Sequence, residues 1–552
     1  MLCTESSNRL VYAAVIVLAA LVVVVLSVVQ SAYNLDPHHW GLMTSNAVDI
    51  ARGRVPYKEI FIQYGFLTAF IEHLFFETGK NIASIIFGVS LLYALGLVGI
   101  YFLTLHSAKR PQVALYAFLT AFLIHPLAIF PWPNYVAFPF ITFGCLGVVK
   151  GRTDWRIGFL GGLLFGLAVL AREGLFLALA PALVAMIPIQ LWCSPGQSSA
   201  IQRLSPLAGF VLTLGLFAFY LWLGELTDYW WQTAIELPKL YTSIFFDQGP
   251  ITAIWAFLKY LFQFSLSEHA RQTFFALIIL SALAYWVQAL VRWRNDPGDA
   301  DLLFIALTTG LLLSSALHRN DIFRLATSIT VGLGLVFIVA DRLHVAGVLF
   351  AVSSLALVAG TFGGDNGDNF LLSRAQIEAT TTSDRIGLFV GQHWSQDVFD
   401  YYDWYVDAMR VLQTRACGVR YLRNETRDAF LEALSPFIQY QLMPFGTGLL
   451  NVSLDVLDDW TRRLRPDYDL DERLAARDIL VVVQKAPPVE ERAAPDGHSV
   501  LNIPSQTTPS VPTTPDGYRI FARRVTPKSV TLPDGLVTVL LAPVECGEAP
   551  QK

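Results

Sequence analysis

Asp36-Pro37-His38-His39-Trp40-Gly41 follows directly on a long apolar run and places a carboxylate beside two imidazoles. A carboxylate at that point can act as a general base or a metal ligand, or can simply cap the next helix. Adjacent histidines point apart on most backbones, so a divalent metal would take Asp36 with either His38 or His39, not both. Interfacial histidines also hydrogen-bond water or lipid headgroups without any ligand role. No cofactor other than that metal is suggested. The segment continues through Asp49, Arg52, Gly53, Arg54, Val55, Pro56, Tyr57, Lys58 and Glu59 into the apolar stretch Phe66–Phe76. Glu59 adds a second carboxylate to the same loop.

Two further clusters stand out. Arg172-Glu173 interrupts an apolar region, and His318-Arg319-Asn320-Asp321, with Arg324, falls between two apolar runs. Guanidinium groups bind phosphate bidentately, so Arg172, Arg319 and Arg324 suit an anionic ligand, with Glu173, His318 and Asp321 lining the same ground. Charged surface turns and an Arg319–Asp321 pair account for the same residues without a ligand. Residues 227–272 mix Asp228, Trp230, Trp231, Glu236, Lys239, Tyr241 and Asp247. That mixture suits a sugar or a lipid interface equally.

The elements that must position these groups are membrane helices. Of the residues 54% are hydrophobic and 15% charged, with mean hydropathy +0.49, too apolar for a soluble chain of 552 residues. Charges are sparse from Leu10 to Phe362 and ordinary from Asp365 onward, which sets the domain boundary at 362/363. A net charge of −5 without a long basic run excludes nucleic acid as a partner. The five cysteines have no CxxC or CxxH spacing. Cys417 and Cys546 can pair with each other in an oxidising compartment. The Asn424-Glu425-Thr426 and Asn451-Val452-Ser453 glycosylation patterns are too short to carry weight.

About eleven apolar segments of bilayer length are predicted, at 10–29, 82–105, 113–130, 133–149, 157–171, 175–192, 207–226, 273–292, 302–317, 325–340 and 343–361. As one helix, Gly158–Trp192 would be roughly 50 Å long, so Arg172-Glu173-Gly174 must be a hairpin turn. Residues 41–52 and 66–77 are expected to form amphipathic helices along the membrane surface. With the N-terminus in the cytoplasm, Lys109, Arg110, Lys150, Arg152, Arg156, Arg203, Arg292, Arg294 and Arg342 all fall on the cytoplasmic side. Loops 30–81 and 227–272, the 172 and 318 turns and the C-terminal domain then share the opposite face. The expected fold is a polytopic α-helical membrane protein with a transmembrane domain over 1–362 and an extracytoplasmic mixed α/β domain over 363–552.

Three segments resemble the GT-C superfamily of membrane glycosyltransferases. They are Asp36 followed by Ala51-Arg52-Gly53-Arg54-Val55-Pro56-Tyr57 and Tyr64-Gly65, the run Gly161-Gly162-Leu163-Leu164-Phe165-Gly166-Leu167-Ala168 leading to Arg172-Glu173, and a multi-span body closing on an extracytoplasmic domain. The resemblance implies an enzyme of a bacterial inner membrane that moves a sugar from a polyprenyl-phosphate carrier to a glycan, lipid or protein acceptor. It makes Asp36 the catalytic residue and gives acceptor binding to the C-terminal domain. The Pro-His-His after Asp36 departs from the family pattern. A lipid-linked oligosaccharide polymerase or ligase would need the same carrier and the same outward-facing cations. A transporter or flippase would instead want charges at bilayer depth on several spans.

Overall fold

The computed structural model describes residues 2–124, 129, 131–193, 199–236, 238–239, 255, 258–259, 270–291, 299–316, 322–363, 378–415, 421–424, 426, 428–439, 479–485, 518–530 and 536–543. The chain divides into two compact units: Met1–Tyr33 with Ile62–Ile377, and Asn34–Phe61 with Glu378–Lys552. The first loop is thus shared between them, its Asp36 half belonging with the C-terminal residues.

The first unit is helical: α1 (Leu2–Ser31) and, beyond the α2 segment of the second unit, α3 (Phe66–Gly79), α4 (Ile82–Ala108), α5 (Pro111–Ile124), α6 (Pro133–Lys150), α7 (Trp155–Ala171), α8 (Phe176–Cys193), α9 (Ala200–Leu223), α10 (Thr227–Trp231), α11 (Ala270–Val291), α12 (Ala300–Leu312), α13 (Ile322–Ser328), α14 (Leu333–Arg342) and α15 (Ala346–Gly363). Every predicted span meets a helix, although the 325–340 run is divided between α13 and α14 by a 3₁₀ turn at Ile329–Gly332. Among the described residues six helices are long and apolar enough to cross a membrane, and four more apolar helices are shorter. The predicted hairpin forms where expected: α7 stops at Ala171, and the Glu173–Leu175 turn leads into α8.

Outward-facing apolar side chains run along α1 (Val17, Leu18, Leu21, Val25) and α9 (Leu212, Leu216, Phe219), a surface suited to lipid rather than water. Inside, α7 lies between α6 and α9, and its small residues allow backbones to touch. A methyl group at Gly161 would lie 2.5 Å from the Val148 nitrogen, and one at Gly162 would overlap the Pro206 carbonyl oxygen.

Ion pairs join the loops read as cytoplasmic to one another. Arg110 Nη1 lies 2.8 Å from Asp341 Oδ1, and Arg152 Nη1 lies 2.7 Å from Asp301 Oδ1. The loops read as extracytoplasmic are joined likewise. Ser31 Oγ donates to the Ile129 carbonyl at 2.5 Å, and the Tyr64 and Trp132 rings lie 4.5 Å apart.

The second unit carries α2 (His39–Ala51), α16 (Gln396–Thr414), α17 (Phe430–Leu434) and five strands: β1 (Tyr421–Asn424), β2 (Ile438–Gln439), β3 (Ile479–Lys485), β4 (Tyr518–Val525) and β5 (Leu536–Pro543). The sheet order is β2-β1-β3-β5-β4. β1 runs parallel to β2 and β3, while β5 is antiparallel to β3 and β4. α16 buries Val398, Tyr401, Tyr402, Tyr405, Met409 and Leu412, spaced as one helix face.

The expected helices of the first loop form as α2 and α3, but α2 has no wet face. It is buried from Trp40 through Asp49, and Gly41 lets its first turn lie on the Ala429–Phe430 backbone. Cys417, Cys546 and Asn451 lie outside the described residues. Asn424 is buried and committed, its Nδ2 donating to the Asp428 carbonyl at 2.8 Å and to Glu432 Oε1 at 3.1 Å.

Candidate functional site

Pro37 disfavours helix at the residue before it, so the chain leaves α1 extended and re-enters helix just after Asp36. Asp36 caps that entry: Oδ1 accepts from the His39 backbone N–H at 2.8 Å, and its carbonyl accepts from Trp40. The other oxygen, Oδ2, lies 2.6 Å from His39 Nδ1. Burial pushes the Asp36 carboxyl up, but the hydrogen bonds and charge of His39 outweigh it and hold the group below the usual carboxylate range. Asp36 is therefore ionised at neutral pH, with 37% of its side chain exposed. A carboxylate has about four acceptor sites, so it can serve His39 and still accept a proton from a ligand.

His38 and His39 touch rather than diverge, with ring centroids 4.7 Å apart in an edge-on pair. His39 bonds Asp36, while His38 acts on that carboxyl through its charge. Among the described residues no group of three His, Cys, Asp or Glu side chains is arranged to hold a metal ion. Glu59 Oε2 accepts from the Val55 N–H at 2.7 Å, closing its own turn.

The Arg52-Gly53-Arg54 motif does structural work in this chain. Asp49 is fully buried, and its Oδ1 takes Arg54 Nη1 at 2.8 Å and Arg52 Nη1 at 3.3 Å. The rest of each fork reaches the C-terminal residues: Arg52 donates to the carbonyls of Ser435 (2.8 Å) and Ala433 (2.9 Å), and Arg54 to that of Phe437 (2.7 Å). The clamp fastens the loop bearing Asp36 to α17 and the start of β2.

Burial pushes Asp49 up to about 6 in spite of Arg54 and Arg52, and pushes Asp428 up to about 8. A carboxyl whose folded value lies above its ordinary 3.8 binds protons more tightly in the folded state, so its contribution is full in acid and lost as pH rises through the folded value. The second unit should therefore lose stability as pH climbs from about 4 to about 8, Asp49 acting over the lower half of that range and Asp428 over all of it, by on the order of 3 kcal/mol for a carboxyl raised about two units and by more for Asp428. Thermal melts of the full-length protein should show a falling transition temperature, with Asp428→Asn flattening the upper part. A transition that rises over this range contradicts the assignment. Asp36 acts oppositely, and only below its ordinary value.

In the first unit, Tyr64-Gly65 packs on the end of α7. Gly65 has φ +117, and a methyl there would lie 2.5 Å from the Ala171 carbonyl oxygen. Thr68 Oγ1 donates to that same carbonyl at 2.7 Å. Arg172 and Glu173 follow at once, and Trp230 Nε1 donates to Glu173 Oε1 at 3.0 Å. Two of the three segments that carry the family resemblance thus meet at this turn, together with an aromatic residue of loop 227–272. Asp228 lines a hollow of 470 Å³ with Trp222, Leu223, Glu225 and Thr227. His318, Arg319 and Asp321 lie outside the described residues, and Arg324 is on α13.

Glu72 on α3 went unread in the sequence. It is fully buried, and neither carboxyl oxygen has a hydrogen-bond partner among the described residues. Burial raises it well above the usual range. The signal was its spacing of four from both Thr68 and Phe76, which puts it on the buried face of α3.

No protein-family model and no curated protein matches the chain. Among solved structures it is similar to ArnT from Cupriavidus metallidurans bound to undecaprenyl phosphate, at 12% identity and TM-score 0.48, over 98% of this chain and 99% of that one. It is also similar to the archaeal oligosaccharyltransferase AglB from Archaeoglobus fulgidus in complex with an inhibitory peptide and a dolichol-phosphate, at 12% identity and TM-score 0.46, over 86% of this chain and 69% of that one.

Proposed function

We propose that this chain is a GT-C-type membrane glycosyltransferase that moves a sugar from a polyprenyl-phosphate carrier to an acceptor hydroxyl or amine at the extracytoplasmic face of a bacterial inner membrane. The observation that carries the reading is Asp36: an ionised, partly exposed carboxylate directly after the first apolar helix, in the loop that resembles the family's catalytic loop.

In the reaction the acceptor oxygen or nitrogen bonds to the anomeric carbon as the bond from that carbon to the carrier phosphate breaks. The acceptor proton passes to Asp36, and the electron pair of the broken bond leaves with the phosphate. A weak base suffices, because the acceptor becomes acidic as its new bond forms. His39, bonded through its backbone N–H to one carboxylate oxygen and through Nδ1 to the other, fixes the direction in which the remaining lone pairs point. Arg172, Arg319 and Arg324 are assigned to the leaving phosphate, whose charge grows in the transition state. The ion pairs among the basic loops support their sharing one face, and the positive charge of those loops assigns that face to the cytoplasm.

Replacing all three arginines with alanine should abolish binding of undecaprenyl phosphate to the protein in nanodiscs, with the fold intact. Unchanged affinity would place the carrier phosphate elsewhere. Arg172→Lys keeps the charge without the planar fork and should lie between the two.

A further inference from the structure

The residues on either side of Asp36 are held by the C-terminal part of the chain. Two positions before it, the Asn34 carbonyl accepts the Trp394 Nε1–H at 2.9 Å. One position after it, the Pro37 carbonyl accepts the Ala429 N–H at 3.0 Å. Both donors are almost completely buried, and all of these residues belong to one compact unit.

Each donor is itself fixed. Trp394 packs against Phe389 (4.9 Å between centroids), Phe399 (5.6 Å) and Phe430 (6.0 Å), and its backbone exchanges two hydrogen bonds with Thr381. The turn before Ala429 is closed by its own side chains: Asp428 N donates to Thr426 Oγ1 at 3.1 Å, and Phe430 N donates to Asp428 Oδ1 at 3.0 Å. Gly41 seats the first turn of α2 on that turn, where a methyl would lie 2.5 Å from Phe430 N. Asp36 is thus suspended between two rigid supports, while His39 sets its carboxylate.

We propose that Trp394 is a positioning residue for Asp36, and that the C-terminal domain builds the catalytic centre by holding the base in place as well as by meeting the acceptor. The proposal rests on the assignment of Asp36 as base. Catalytic groups must be held within about 0.5 Å of their productive place, and misplacement by about 1 Å can cost 10²-fold in rate. A backbone fastened on both sides has less freedom to leave that place than a loop free at either end.

The test uses full-length protein in nanodiscs. Membranes of a strain lacking the gene supply the donor and acceptor, and undecaprenyl phosphate binding counts the folded molecules. Trp394→Phe keeps the aromatic packing and removes only the N–H. The maximal rate per folded molecule is expected to fall about 10- to 100-fold. The membrane concentration giving half-maximal rate should hold, and the acid limb of the pH–rate profile should move. Gly41→Ala, which presses on the other support, should give the same signature.

In an Asp36→Asn background Trp394→Phe should have no further effect, since nothing remains to position. An unchanged rate and pH profile in Trp394→Phe, with Asp36→Asn inactive, would overturn the positioning role alone. An active Asp36→Asn would instead overturn the assignment of the base.

Discussion

Asp36→Asn is expected to abolish sugar transfer while leaving the protein folded and able to bind undecaprenyl phosphate. Asparagine caps a helix as well as aspartate does, so α2 should still begin where it does. The amide oxygen can still accept the His39 backbone N–H. What the variant loses is a group that takes a proton at neutral pH, and general-base contributions of roughly 10²- to 10⁴-fold set the size of the loss. Capping alone would predict a cost near 1 kcal/mol or less in stability and almost none in rate. Transfer rates at matched concentrations of folded protein separate the two. Retention of most of the rate would remove Asp36 from the chemistry. The search would then pass to Asp228, since Glu173 is engaged by Trp230 and Glu59 closes its own turn.

Arg54→Ala should give the largest loss of stability. The Arg54 side chain is 9% exposed and Asp49 is 0% exposed, so alanine leaves a buried carboxyl with only the longer contact to Arg52. Breaking a buried pair from one side costs about 3–5 kcal/mol. For a unit of this size that is a fall of about 10 °C in transition temperature. Asp49→Asn should cost less, because it removes the charge whose burial is unfavourable. Limited proteolysis of the C-terminal residues against temperature reports the transition. Wild-type resistance in Arg54→Ala would mean that the loop is not fastened by this clamp.

The helical body was legible because a lipid-facing helix must be apolar throughout its length, and that requirement survives without any knowledge of packing. The hairpin at Arg172 followed from length alone. What could not be read is whatever depends on residues far apart in the chain. Arg52 and Arg54 stood in the sequence without partners, and the carbonyls they bind come from Ala433, Ser435 and Phe437. The first turn of α2 is covered in the same way, by the Ala429–Phe430 backbone from almost four hundred residues later. At Asp36 the sequence offered two histidines, and only the backbone decides that the one three residues on folds back to the carboxylate. Trp394 gave no signal, because its role is a single N–H aimed at a backbone carbonyl. Glu72 was hidden by its apolar neighbours, although its spacing from Thr68 was in plain view.

The central claim, sugar transfer from a polyprenyl-phosphate carrier, is tested most directly by mass spectrometry of envelope glycans, lipids and lipid-linked intermediates in a strain lacking the gene. The account predicts that one sugar disappears from a surface glycan, lipid or protein while its polyprenyl-phosphate form accumulates, and that the wild-type gene restores both. A complete set of surface sugars with no accumulated carrier would contradict it.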